Sequence, residues 1–121
     1  MAEHIDLGKQ GELAAVDYLV KKGYKILERN WRFGKNEIDI IARDRKFIVV
    51  VEVKTRHSNF FAEPETNVTF EKQRILVRAA NAYIRSRQID SEVRFDVMAI
   101  LIGKDGAQIN HIIDAFYPTL R

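Results

Sequence analysis

A run of four β-branched residues, Ile48-Val49-Val50-Val51, passes without any turn signal into Glu52-Val53-Lys54. Successive side chains of a strand alternate between faces, so an unbroken apolar run requires cover on both sides, as at the centre of a sheet between helices. The charged end of the same strand then has a fixed geometry. Residues two apart share a face, so Glu52 and Lys54 project together and Val53 opposes them.

The flanking segments supply the rest of such a sheet. Residues about 9–22 carry Leu13, Val16, Leu19 and Val20 at helical spacing, with Gly23 placed to cap the helix end. Residues about 24–33 alternate loosely as a strand. Glu37 to Ala42 predicts a second strand, closed by the turn Arg43-Asp44-Arg45-Lys46, and Phe47 to Thr55 a third. His57 to Thr66 reads as a polar loop containing Phe60, Phe61 and Pro64. A helix over about 69–87 follows, capped by Thr69 or Asn67, with Ile75, Leu76, Ala79, Ala80 and Tyr83 as its apolar stripe. Val93 to Ile102 and about 107–113 predict two more strands around the turn Gly103-Lys104-Asp105-Gly106. The helix before the fourth strand is long enough for a right-handed crossover, which makes the third and fourth strands parallel. The expectation is a single α/β domain over residues 1–121, a mixed sheet of about five strands flanked by helices in the order α-β-β-β-α-β-β.

Composition narrows the chemistry. With no cysteine among 121 residues, disulfides, thiolate nucleophiles and Cys-ligated metals are excluded. The start Met-Ala-Glu-His-Ile-Asp has no basic and apolar pattern of a secretory signal, and the apolar run from Phe47 to Val51 falls far short of the ~20 residues of a membrane span. A cytoplasmic protein with no membrane partner is expected. The net charge of +3 is small, but its placement is uneven. Between Lys54 and Arg87 stand seven basic and three acidic residues, which favours an anionic partner.

The charged strand ends define the candidate site. In an antiparallel hairpin, opposed residues have numbers of constant sum. If Arg43 opposes Lys46, Asp39 lies diagonal to Glu52; if Asp44 opposes Phe47, Asp39 lies directly across from it. Either odd sum brings Asp39, Glu52 and Lys54 to one face within about 5–8 Å at Cβ, whereas an even sum sends Asp39 to the back. Two carboxylates that close repel unless they share a cation, and oxygen ligation suits Mg²⁺ or Mn²⁺. A neighbouring lysine suits the orientation of an attacking water or the charge of a phosphorane-like transition state. By spacing alone, a solvated ion-pair ladder at a strand end fits the same residues.

Asp39, twelve intervening residues and then Glu52-Val53-Lys54 resembles the PD-(D/E)XK nuclease signature. Further blocks, Gly8-x-x-Gly11-Glu12, Asn30-Trp31-Arg32, Glu37-Ile38-Asp39-Ile40-Ile41-Ala42, Arg94-Phe95-Asp96-Val97 and His111-Ile112-Ile113-Asp114-Ala115-Phe116, resemble the YraN-like family. That group has a restriction-endonuclease-like fold related to archaeal Holliday-junction resolvases. The resemblance implies Asp39 and Glu52 as ligands of Mg²⁺ or Mn²⁺, Lys54 as a catalytic residue, and Glu12 as a further acid at the metal or water. As a plain reading, Glu12 equally complements the helix dipole from a first turn. Glu37 and Gln73 are candidates for the shell behind the ligands. Where the family usually has Gly before its Glu-Ile-Asp, this chain has Asn36, which tolerates positive φ better than most residues.

Arg56, Lys72, Arg74 and Arg78 are candidate nucleic-acid contacts, and Phe60 and Phe61 candidate base contacts. His57 and His111 have no metal-ligand partner at useful spacing and are read as non-catalytic. The implied activity is a metal-dependent endonuclease acting on DNA, structure-selective because 121 residues hold no separate recognition module. Two symmetric cuts in a junction would call for a homodimer. A non-catalytic nucleic-acid-binding protein of the same fold is the alternative.

Overall fold

In the computed structural model, which describes residues 6–58 and 67–118, the β-branched run lies inside β3 (Phe47–His57). Its neighbours are β2 (Asn36–Asp44) and β4 (Glu92–Gly103), with β1 (Lys25–Phe33) and β5 (Gly106–Phe116) at the edges. β3 pairs with β4 in parallel and the other pairs are antiparallel, giving an open mixed sheet. Helix α1 (Leu7–Lys21) precedes β1, and α2 (Phe70–Arg87) makes the crossover between the parallel strands. The order α-β-β-β-α-β-β is the one expected of a restriction-endonuclease-like α/β protein.

Alternation along β3 sorts the core into two layers. Val49 and Val51 pack with Ala15 and Leu19 of α1, together with Ile40, Ala42, Met98 and Ile100. Ile48 and Val50 face the other way, onto Leu76, Ala79, Ala80 and Tyr83 of α2, with Ile41, Phe95 and Val97. Each of these side chains is buried to within a few per cent of exposure, so β3 is covered on both faces as its composition requires.

Several elements extend beyond their expected bounds. Asp6 accepts a hydrogen bond from Lys9 N at 2.8 Å and starts α1 two residues earlier than its apolar spacing indicates. Glu12 therefore sits in the second turn rather than the first, away from the helix dipole's positive end. Thr69 caps α2 through Lys72 N, and β5 runs on to Phe116, which stacks on Phe95 at 4.9 Å. The segment holding Phe60 and Phe61 lies outside the described residues.

Gly11 sets how closely α1 approaches β3. A Cβ at that position would overlap the Thr55 side chain, so the contact needs a hydrogen there. Gly11→Ala is expected to lower stability by about 1–3 kcal/mol through overpacking, read as a reduced urea midpoint at unchanged slope.

Candidate active site

The register between β2 and β3 decides what the acids do. Asp44 opposes Phe47 and Ile40 opposes Val51, so the residue sum is 91 and Asp39 stands across from Glu52. Paired residues end at Ile40 and Val51, and the strands part beyond them. At the gap the Asp39 carboxylate substitutes for a ladder carbonyl: its Oδ2 accepts from Val53 N at 2.8 Å. Ile38 packs on the α2 side and Ile40 on the α1 side, so regular alternation breaks at Asp39 itself.

The partner strand breaks at the same level. Asn30 lies between the pairs Arg29–Ile40 and Trp31–Ile38 and has φ 52°, a left-handed conformation that asparagine accepts more readily than most residues. Its Nδ2 donates to Glu12 Oε2 at 2.9 Å and to Glu37 Oε1 at 3.0 Å. One amide thus ties the acid of α1 to the acid of β2. Arg29 Nη2 adds an ion pair to Glu12 Oε1 at 3.2 Å. The adjoining turn takes its positive φ at Gly34 (60°), whereas Asn36 begins β2 with ordinary backbone; no glycine is needed there.

Electrostatically the centre is strained toward negative charge. Burial, then the nearby Glu52 and Glu12 carboxylates, push Asp39 up to about 7, against the lowering influence of Val53 N–H. Asp39 and Glu52 are close enough to hydrogen-bond when one of them carries a proton. Lys72 Nζ, from the first turn of α2, stands 3.8 Å from Glu52 Oε2 and neutralises part of this charge. Lys54 Nζ donates to Asn67 O at 2.7 Å, which holds the ammonium in place at the end of β3.

An open cavity of about 470 Å³ gives access, lined by Asp39, Lys54, Thr55 and Arg56 together with Gly8 and Glu12 of α1. Asp39, Lys54 and Glu12 therefore line one cavity, with Glu52 beside Asp39 and Glu37 tied to Glu12 through Asn30. Gln73 is turned to its own helix start, donating from Nε2 to Val68 O at 2.9 Å. Arg56 lines the cavity and donates to Thr55 O. Arg74 and Arg78 line a separate cavity on the outer side of α2.

Among the described residues no set of three or more histidine, aspartate or glutamate side chains is gathered as a ready metal cage. The donor chemistry nonetheless fits a hard divalent cation. Mg²⁺ is usually held by one or two carboxylates and keeps several waters, and Asp39 and Glu52 are two like charges forced together beside open solvent.

His111, by contrast, is engaged elsewhere. Its Nε2 lies 2.8 Å from Asp96 Oδ2, and Arg94 binds both oxygens of Asp96 while reaching Asp44 Oδ2 at 2.9 Å and the Tyr24 hydroxyl at 2.7 Å. His111, Arg94 and these hydrogen bonds lower the Asp96 carboxyl below its ordinary value despite burial. The set ties Tyr24, just before β1, and the end of β2 to β4 and the middle of β5, and is structural.

The fold is α/β, an open mixed sheet of five strands with two helices, and it brings this acid pair together where β2 and β3 part. The chain belongs to the uncharacterised protein family UPF0102, whose family model matches residues 11–100. It is 50% identical over 117 residues to a UPF0102 protein of Flavobacterium psychrophilum, covering 97% of this chain and 98% of the relative. A UPF0102 protein of Bacteroides thetaiotaomicron is 50% identical over 120 residues, covering 99% of each chain. These matches agree with the YraN-like resemblance of its sequence blocks.

Asp39, partly buried, and Asp96, almost wholly buried, carry opposite pH signatures. Asp39 is raised in the folded chain, so without divalent ions it adds stability at low pH that is lost as pH rises from about 4 toward 7. Asp96 is lowered, so its contribution holds above the ordinary aspartate value and is lost as pH falls below it. Urea melts of Asp39→Asn between pH 4 and 7 in chelator should lose the first trend; an unchanged profile would separate Asp39 from it.

Proposed function

We propose that this chain is a Mg²⁺- or Mn²⁺-dependent endonuclease that hydrolyses phosphodiester bonds in DNA, selecting branched or junction structures rather than sequence. The observation that carries the reading is the meeting of Asp39 and Glu52 where β2 and β3 part, with Lys54 fixed beside them. A structural role offers no reason to press two partly buried acids against each other, since a like-charge pair costs stability unless a cation is shared.

Asp39 and Glu52 would hold the ion, which supplies a polarised phosphoryl oxygen and an acidified water. Asp39 keeps Oδ2 on Val53 N–H, so its carboxylate is fixed by the backbone at the cavity wall. The Lys54 ammonium offsets charge developing on the phosphate oxygens during attack, at a position set by the Asn67 carbonyl. Glu12, oriented by Asn30 and Arg29, accepts a proton or a hydrogen bond from the attacking water. Lys72 limits repulsion at Glu52 before substrate arrives. Arg56, on the cavity wall, meets the phosphate backbone.

Purified chain incubated with four-way, flapped, nicked and single-stranded DNA plus Mn²⁺ tests this. Cleavage of a branched substrate is expected, reduced about 100-fold or more in Glu52→Ala and in Lys54→Ala. Equal cleavage by those variants would remove the assigned roles. Salt-sensitive binding with no products under any divalent ion would leave a binding protein instead of an enzyme.

A further inference from the structure

The cation beside the acid pair is held more loosely than the other cations around the site. Among the described residues Lys72 alone pairs with either acid at the strand break, its Nζ 3.8 Å from Glu52 Oε2. Arg29 lies on Glu12 at 3.2 Å and Lys54 on the Asn67 carbonyl at 2.7 Å, both at hydrogen-bond length. We propose that Lys72 exchanges partners: its ammonium sits on Glu52 in the ion-free chain and passes to a phosphate of the DNA strand once Glu52 holds a divalent ion. The proposal rests on the reading of the chain as a metal-dependent enzyme acting on DNA, and it adds a link between ion loading and DNA binding.

The backbone at the start of α2 is fixed, whereas the Lys72 side chain is not. Val68 is buried and packs in one core layer with Leu76. Thr69 Oγ1 accepts from Lys72 N at 3.2 Å, Gln73 Nε2 donates to Val68 O at 2.9 Å, and Lys54 adds a third tie through Asn67 O. Lys72 therefore leaves the helix at a set place beside the acids, with its ammonium on a flexible four-carbon stem. Its side chain is 38% exposed against 14% for Glu52, so the acid is the enclosed partner and the cation is the one that reaches solvent. An ion pair this long and this exposed holds by roughly a few-fold at equilibrium, and a closer anion can take the ammonium from it.

Charge gives the exchange its direction. In the ion-free chain Glu52 and Asp39 repel, and Lys72 supplies their counter-charge. With a divalent ion on the two carboxylates, that counter-charge is no longer needed and an ammonium at its present distance from Glu52 is repelled. The nearest anion is then a phosphate of the strand that has come to the ion. Glu52 and DNA thus compete for Lys72 in the ion-free chain, and the competition ends on loading.

Fluorescence anisotropy of the full chain with a labelled four-way junction tests the exchange as a double-mutant cycle. In chelator, Lys72→Gln should change wild-type binding less than about two-fold, yet weaken Glu52→Gln, whose ammonium has lost its acid, about five-fold. In Ca²⁺, with intact DNA confirmed on a gel, Lys72→Gln should weaken wild type about five-fold and lower the salt slope by about 0.9, one phosphate contact, and Lys72→Arg should restore most of both. Calorimetric titration of Mn²⁺ without DNA should show about three-fold tighter binding to Lys72→Gln than to wild type. Equal losses in all three settings, as from a charge acting only through the overall field, or an unchanged Mn²⁺ affinity would overturn the proposal. The two readings fail separately. Ion-dependent cleavage with equal losses defeats the exchange alone, coupling without products leaves the exchange standing in a protein that only binds, and a wild type that takes up no Mn²⁺ defeats both.

Discussion

Everything distinctive in this molecule follows from one substitution of partners: at the point where β2 and β3 part, the N–H of Val53 is satisfied by the side chain of Asp39 instead of a strand carbonyl. That bond lets the two strands separate without stranding a buried donor, whose loss would cost on the order of 1–3 kcal/mol. It also draws a carboxylate into the sheet's interior edge, against Glu52, in a place where burial raises Asp39 to about 7. The separation that opens the cavity and the charge that fills it are thus the same event. Gly11 lets α1 come close enough to Thr55 for Glu12 to join that charge, and Asn30 bends β1 so that its amide can hold Glu12 and Glu37 together.

The fully buried charges of the protein are treated differently, and the contrast is informative. Asp96 is almost wholly buried, yet it meets both Arg94 and His111 and accepts the N–H of Asp114. Among the described residues no buried side-chain nitrogen or oxygen is left without a hydrogen-bond partner. The Arg94 network therefore closes on itself through hydrogen bonds, while the Asp39–Glu52 pair sets two acids against the single cation of Lys72. A fold able to satisfy one buried acid so fully has no structural need for an unbalanced pair. That imbalance is what marks the pair as a place for an outside ligand.

Much of this was legible in the chain. The apolar run of β3 announced its central position, and the helix between β3 and β4 announced their parallel pairing. Register was narrowed but not chosen: sums of 89 and 91 both brought Asp39 near Glu52, and only the length of the turn at Arg45-Lys46 selects 91. What sequence could not give was geometry carried by single residues and distant partners. Asn30 signals nothing by composition, because its φ of 52° depends on the break opposite Asp39. Apart from Arg94 and Asp96 themselves, the Arg94 network joins residues 15 to 70 positions apart, so neither His111 nor Tyr24 had a visible partner. Arg74 and Arg78 were legible as a basic stripe; the cavity beside them needed the β1–β2 turn and α2 to be brought together by the fold. Conversely, Glu12's placement in a first turn was a consequence of starting α1 too late, at its apolar spacing rather than at its Asp6 cap.

The central claim is that the acids facing each other across the parted strands are a binding site for a divalent ion, and calorimetric titration of Mn²⁺ into the metal-free chain tests it most directly. At about pH 6, run in two buffers of different ionisation heat, the heats should report binding accompanied by release of a large part of one proton, since Asp39 begins mostly protonated and must ionise to coordinate. Absence of binding, or binding without proton release and with the same affinity in Asp39→Asn, would contradict it.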